Sequence, residues 1–237
     1  MTTQYKERVG VGSYYDDVTW ETTLPIYPVY INEDFIGTHS SLWTIMDMGD
    51  GTSNKVPNVA NGQWDFSITD STSNEQEIGF FWNDLLEINI DKNPIIEFKL
   101  RFTIAPTGLT EVFFGLCNEY VIGPMSTGMP TFHVLYGCDS TGEIRIWTDD
   151  GTNVNTAVSI DATSFVDIEV EHIYRIDCTD LTNVLFYIDG QAKATTTIFN
   201  ISSGSNILVQ PYIYLYKPSA IGVATIRLDY IKLWSNR

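Results

Sequence analysis

The sequence is poor in cysteine and in positive charge, and each shortage excludes a class of function. Its 237 residues include only three cysteines, Cys117, Cys138 and Cys178, which form no CxxC pair. Neither a disulfide framework nor a zinc site is therefore predicted. Lysine and arginine number 13 against 30 aspartates and glutamates, which gives a net charge of -17. Such a field repels nucleic acid, so we predict no nucleic-acid partner.

Long apolar runs and nucleotide-binding or hydrolase motifs are also missing. No run approaches the roughly 20 apolar residues of a membrane helix. The opening "MTTQYKERVGVGSYY" lacks the apolar stretch of a signal peptide. We therefore expect synthesis in a cytoplasm and no membrane partner. P-loop, GxGxxG, GxSxG and HExxH patterns are absent from the sequence, so no cofactor is predicted.

The sequence contains instead a succession of β-strand patterns. Short runs of Val, Ile, Phe, Tyr and Thr are separated by Gly, Asn, Asp and Pro, with turn residues such as "IDGQ". In "YIYLY" the tyrosines share one face, and Ile213 and Leu215 share the other. Such strands have one buried face and one face toward solvent or a partner. They predict an all-β fold over residues 28–237, in which two antiparallel sheets pack as a sandwich or jelly roll.

Residues 1–27 have a different character. They mix tyrosine, tryptophan and acidic residues without a sustained period, and Pro25 and Pro28 favour extended backbone. Two interpretations stay open, a strand of the sandwich or an extended N-terminal arm that docks on a partner. The aromatic residues predicted to dock the arm are Tyr14, Tyr15, Trp20 and Tyr27.

Three carboxylates stand two residues apart in "DIEVEHIYRID", residues 167–177. On a strand, Asp167, Glu169 and Glu171 would line one face at roughly 6.6–6.8 Å spacing. A glycosidase could use carboxyl groups at that separation. The alternatives are the exposed face of an ordinary strand and a cation site. We predict the exposed face.

Three passages resemble the concanavalin A-like lectins and glucanases. "EHIYRIDCTDLTNVLFYIDGQ" is similar to their strand–turn–strand–hairpin passage, "IRLDYIKLW" to the closing strand of laminarinase-type and laminin-G-like domains, and "INEDFIGTHSSLW" to their first strand. The resemblance implies a concanavalin A-like jelly roll. The hydrolases of this superfamily carry Glu-x-Asp-x-x-Glu or Glu-x-Asp-x-Glu. In the equivalent residues 132–152 the only glutamate is Glu143, and neither motif is present. No catalytic residue is therefore predicted.

A metal site has one weak candidate. "DMGDGTSN", residues 47–54, places Asp47, Asp50 and Ser53 in a loop that could bind calcium. It fails the EF-hand spacing and lacks the bidentate glutamate at the twelfth position. We therefore interpret it as a plain turn and predict no metal.

An aromatic face is the main functional prediction. We expect its residues on one concave sheet, where rings can stack on sugars or contact a protein partner. The alternative is that they pack under loops. The face comprises Tyr136, Trp147, Tyr212, Tyr214 and Tyr216.

The functional prediction rests on the resemblance and on these absences. Laminin-G-like jelly rolls recur in phage proteins that decorate capsids or build fibres. The resemblance therefore implies a non-catalytic virion structural protein, a bacteriophage capsid decoration or auxiliary protein. Its partners would be further copies in a homo-oligomer and other virion proteins. The alternative is a carbohydrate-binding attachment module, whose partner is a surface glycan.

Overall fold

A computed structural model describes most of the chain. The described residues are 3–8, 11–16, 29–36, 39–49, 51–56, 62–69, 74–85, 88–125, 128–139, 141–160, 167–204 and 206–236. For residues 3–8 and 11–16 only the backbone is described. Within these ranges the chain forms β-strands and one short 3-10 helix, Ile90–Lys92. No helix in the described part of the chain has the length and apolar character of a membrane span.

The strands are β1 Thr3–Arg8, β2 Val11–Asp16, β3 Val29–Glu33, β4 Thr44–Met48, β5 Thr52–Lys55, β6 Trp64–Ile68, β7 Gln76–Phe81, β8 Ile88–Asn89, β9 Ile95–Ile104, β10 Glu111–Cys117, β11 His133–Cys138, β12 Ile144–Asp149, β13 Val154–Ser159, β14 His172–Asp177, β15 Leu185–Ile188, β16 Gln191–Lys193, β17 Leu208–Lys217 and β18 Ala224–Ser235.

Two antiparallel sheets of eight strands form the sandwich. The first sheet has the order β13-β12-β11-β10-β17-β7-β4, with β8 also paired to β17. The second has the order β16-β15-β14-β9-β18-β6-β5, with β3 also paired to β18. The predicted all-β, two-sheet antiparallel architecture is confirmed. Strands β1 and β2 pair with each other in a sheet of their own, and the division of the chain at residues 27 and 28 stays a prediction.

The core between the sheets follows from the two-residue period of the strands. In β9 the side chains of Ile96, Phe98, Leu100 and Phe102 are buried, whereas those between them are partly exposed. Strands of the first sheet behave differently, because β7, β10, β11 and β17 are buried on both faces. A second apolar cluster therefore covers the outer face of the first sheet.

The three carboxylates of residues 167–171 do not line a strand face, and that part of the prediction is wrong. Strand β14 begins only at His172, and Glu169 adopts a left-handed φ of 66° in a turn. Each acid lies beside a basic side chain instead. Asp167 is 3.8 Å from His172, Glu169 is 3.5 Å from Arg101, and Glu171 is 3.1 Å from Lys99.

The segment 47–54 connects the two sheets, because β4 belongs to the first and β5 to the second. Gly49 has a φ of 75°, and a Cβ atom there would lie 2.3 Å from the carbonyl oxygen of Glu75. The Ser53 hydroxyl accepts a hydrogen bond of 2.6 Å from Trp64 Nε1. Asp50 lies outside the described residues, and the described ones contain no cluster of metal-ligating side chains.

Candidate functional site

Four of the five predicted aromatic residues share the outer face of the first sheet. Trp147, Tyr212, Tyr214 and Tyr216 belong to one cluster there. Tyr136 points the opposite way, into the core between the sheets, where its hydroxyl donates to the Tyr187 carbonyl at 2.9 Å. Leu135, its neighbour, is the residue that pairs with Trp147. Neighbouring residues of a strand point to opposite faces of the sheet, so Tyr136 lies on the face opposite to Leu135 and Trp147. The prediction that Tyr136 shares a face with the other four aromatic residues is therefore wrong.

The aromatic side chains are packed closely against the sheet. Tyr212 and Tyr214 stack with ring centroids 5.6 Å apart, and Tyr214 and Tyr216 stack at 6.4 Å. Glycine provides the space for the Trp147 ring. A Cβ atom on Gly137 would lie 2.5 Å from Trp147 Cζ3.

A loop closes over this aromatic face. We call residues 118–132, between β10 and β11, the covering loop; residues 126 and 127 lie outside the described part. Its Tyr120 stacks on Phe81 with a centroid distance of 4.4 Å, and Met125 is fully buried. The Tyr214 hydroxyl donates to the Gly123 carbonyl at 2.5 Å. The aromatic residues therefore pack under a loop, and they form no open platform for a sugar.

Polar side chains hold the covering loop at both ends. Asp84 accepts a hydrogen bond from the Tyr120 amide at 2.9 Å. Asn118 accepts from the Phe132 amide, and Glu119 accepts from the Thr131 amide, each at 3.0 Å. These bonds join the two ends of the loop to each other and to the turn that follows β7.

Glu77 is a buried carboxyl group under the covering loop. It is inaccessible to solvent on β7 and accepts hydrogen bonds from the Tyr120 hydroxyl and, at 3.3 Å, from the Gly123 amide. Burial raises the pKa of Glu77 to about 7, although the hydrogen bond from the Gly123 amide lowers it. Glu77 is not among the residues predicted from the sequence. A signal existed, because a single acid opens the apolar run "IGFF" of a strand buried on both faces.

An open cleft lies beside the aromatic face, where β10 begins and β11 and β17 end. Its volume is about 400 Å³. Three lining residues are apolar and four carry oxygen-bearing side chains. They are Leu109, Pro124 and Pro218, and Thr110, Glu111, Asp139 and Tyr216. Tyr216 is the residue of the predicted aromatic face that lines this cleft.

Ion pairing fixes the carboxylate of Asp139 at the cleft wall. Arg145 lies between two acids, 2.9 Å from Asp139 and 2.8 Å from Glu143. Hydrogen bonds from Ser159 and Arg145 lower the pKa of Glu143. The hydroxyl oxygen of Thr110 is buried and has no hydrogen-bond partner within the described residues. The cleft therefore combines oriented oxygen atoms with apolar surface.

Two carboxyl groups, those of Glu111 and Asp139, line the cleft, and the carboxyl group with the strongly raised pKa, that of Glu77, does not. Hydrolysis requires a protonated acid and an ionised carboxylate on either side of the same bond. The strongly shifted carboxyl is Glu77, but the covering loop seals it from any substrate. Asp139 borders the cleft, but it is paired with a guanidinium.

Two of the four predicted docking residues of the N-terminal arm belong to the described part of the chain. Tyr14 and Tyr15 lie on β2, which is described by its backbone alone. Trp20 and Tyr27 lie outside the described residues. Docking by this segment stays a prediction.

Comparison with known proteins identifies the fold. No protein-family model and no curated protein matches the sequence. The carbohydrate recognition domain of Emp47p is similar in structure, with a TM-score of 0.58 and 9% identity over 88% of this chain and 95% of that chain. The Lotus tetragonolobus seed lectin gives a TM-score of 0.57 and 14% identity over 88% of this chain and 98% of that chain.

A phage protein has the same architecture. The conserved carbohydrate esterase of Shiga toxin-encoding bacteriophage phi24B gives a TM-score of 0.52 and 10% identity, over 87% of this chain and 98% of that chain. At such identities the likeness concerns the fold. The chain is a concanavalin A-like jelly roll, as the sequence resemblance implied.

Proposed function

We propose that this protein is a non-catalytic carbohydrate-binding module whose site is the open cleft. The observation that carries the proposal is a cleft of about 400 Å³ with both apolar and carboxylate walls. This volume lies within the roughly 300–1,000 Å³ of small-molecule sites. Two similar structures support the proposal, since they are a carbohydrate recognition domain and a lectin.

The chemistry of the cleft suits a sugar. A pyranose has an apolar C–H face and a rim of hydroxyl groups. Leu109, which is 63% exposed, and the two prolines offer contact to the C–H face. Asp139 and Glu111 are acceptors for sugar hydroxyl groups. The net charge of -17 repels uronic and sialic acids, so the expected ligand is a neutral glycan.

Substitution of Asp139 tests the site. Because a hydrogen bond to a charged group contributes about 1.5–3 kcal/mol, Asp139→Asn is expected to weaken binding of a neutral glycan about tenfold or more. A glycan array identifies the ligand, and isothermal titration calorimetry measures the affinity.

Asp180→Asn is the matched control. Each aspartate caps an Asp-x-Thr turn: Asp139 accepts from the Thr141 amide and Asp180 from the Thr182 amide, both at 2.9 Å. Asp180, however, follows β14 in the second sheet and does not line the cleft. The proposal fails if the array finds no ligand, or if Asp180→Asn weakens binding as much as Asp139→Asn.

We expect no hydrolysis of β-glucans, because the sealed Glu77 cannot reach a substrate and the acids of residues 167–171 lie in a turn. Incubation with laminarin should release no reducing ends above the level of a boiled sample. Turnover that disappears in Glu77→Gln, Glu169→Gln or Glu171→Gln would contradict this expectation.

The setting that we propose for the module is the virion of a tailed bacteriophage, as a capsid decoration or auxiliary protein. A phage protein of similar fold supports this setting. In a virion, a glycan-binding module would contribute attachment to a polysaccharide surface, and a homo-oligomer would multiply weak contacts.

A further inference from the structure

The outer face of the second sheet differs in charge from the rest of the molecule. Five of the 13 basic residues of the chain project from its strands: Lys99, Arg101, Arg175, Arg227 and Lys232. Six acidic residues lie beside them. Asp65, Glu97, Asp177 and Asp229 project from the strands, and Glu169 and Glu171 contact Arg101 and Lys99 from the segment before β14. Since the whole chain carries -17, this face is close to neutral on a strongly acidic protein.

Many of these charges are already paired within the face. Lys99 lies 2.5 Å from Asp229, and Arg227 lies 2.7 Å from Asp65. These pairs leave the face with little net charge of either sign.

A row of large, partly exposed side chains crosses the same face. Strand register aligns Leu185 with Asp177, Asp177 with Ile95, Ile95 with Trp234, and Trp234 with Tyr30. Leu185 is 39% exposed and Tyr30 is 38% exposed. This row runs across five strands, from β15 to β3.

The neighbouring row alternates in charge. It runs Tyr187, Arg175, Glu97, Lys232 and Asn32 in the same register. The Arg175 guanidinium lies 5.8 Å from the centroid of the Tyr187 ring. Tyrosine, tryptophan and arginine are the residues most enriched at protein interfaces.

The size of the face lies at the lower end of the range for an interface. The five strands from β15 to β3 contain 4, 6, 10, 12 and 5 residues, which at about 3.3 Å per residue and about 4.8 Å spacing give roughly 600 Å². Two such faces bury roughly 1,200 Å², the lower limit of a standard protein–protein interface.

We propose that two copies of this chain associate through the outer face of the second sheet, which we call the balanced face. Two chains of -17 repel each other, and contact through the balanced face keeps their acidic surfaces apart. Under a twofold axis, the alternating charges of the second row can meet their opposites. Two other kinds of partner fit this face less well. A polyanion would bind a face with net positive charge, and a basic protein would bind the acidic surface elsewhere on the molecule.

Sedimentation velocity of the full chain over a range of concentrations tests this proposal. We expect a species of twice the 26.8 kDa monomer mass. Its dissociation constant should fall as salt rises from 10 to 150 mM, because the Debye length shortens from about 30 to about 8 Å and net repulsion is screened. Leu185→Lys and Tyr30→Lys should each raise that constant about tenfold or more.

Val154→Lys is the matched control, since Val154 is 59% exposed on β13 at the edge of the first sheet. Circular dichroism melting of each variant checks that the monomer still folds. A chain that stays monomeric at about 1 mM would overturn the proposal. Association that weakens with salt, or that survives both face variants, would also overturn it.

Discussion

The free energy of unfolding of the wild-type chain, relative to a Glu77→Gln variant, is expected to fall by about 3 kcal/mol as the pH rises from 4.5 to 7. Glu77 has a pKa of about 7 in the folded chain, against 4.5 as its ordinary value. Below pH 4.5 the carboxyl is protonated in both states and resembles glutamine. Above pH 7 the folded state must bury a charge, so this contribution to stability is lost.

The surroundings of Glu77 explain why the neutral form is favoured. Tyr120 faces it from the covering loop, Tyr214 and Tyr216 lie beside it on β17, and the negative charge of Glu75 raises its pKa further. No lysine or arginine is among the causes of the shift. Burial therefore outweighs the hydrogen bonds that would otherwise favour the carboxylate.

The difference between two pH profiles isolates this effect from other titrations. Burial lowers the pKa of His133, and His133 alone would make the protein less stable as the pH falls below about 6.5. Urea denaturation of both chains between pH 4.5 and 8 cancels that contribution. Glu119→Gln is the control, since Glu119 lies partly exposed in the same loop. Parallel profiles for wild type and Glu77→Gln would refute a buried, proton-linked Glu77.

The sandwich could be predicted because the sequence patterns that specify its strands and turns are local. Alternation in "IIEFKLRFTI" reappears as buried Ile96, Phe98, Leu100 and Phe102 on β9. The tight turn at Asp189 and Gly190 has the positive φ values that its residue types favour. Each such strand can be identified from a window of ten residues, and many of them together specify two packed sheets.

The site could not be predicted because it depends on register and on a distant loop. Whether Tyr136 joins Trp147 is decided by the pairing of Leu135 with Trp147, which no single strand encodes. One local signal did exist for the covering loop. Strands such as "EVFFGLC" are apolar at nearly every position, and a strand buried on both faces needs a cover on each.

The acids of residues 167–171 illustrate the same limit. Their two-residue spacing suggested a strand, but their partners Arg101 and Lys99 lie on β9, far away in sequence. The amide of Glu169 donates to the Phe102 carbonyl at 2.8 Å, and the left-handed φ at Glu169 turns the chain there. Long-range pairing thus overrode the local pattern.

A Gly137→Ala variant is expected to lose about 2 kcal/mol of stability, because the new methyl group would overpack the outer face of the first sheet. Its Cβ atom would lie 2.5 Å from Trp147 and 2.6 Å from Phe113. Neither ring can move away easily, because the two rings pack edge to face with centroids 5.0 Å apart and Trp147 is only 6% exposed. Chemical denaturation followed by circular dichroism measures the loss.

Gly128→Ala and a double variant distinguish this steric effect from a general cost of replacing glycine. A Cβ atom on Gly128 would meet nothing closer than 3.6 Å, so that variant should change stability by no more than about 0.5 kcal/mol. Adding Trp147→Phe to Gly137→Ala shrinks the ring that clashes and should restore part of the loss through a coupling between the two sites. Equal losses for Gly128→Ala and Gly137→Ala, or no recovery in the double variant, would mean that Trp147 does not pack on Gly137 under the covering loop.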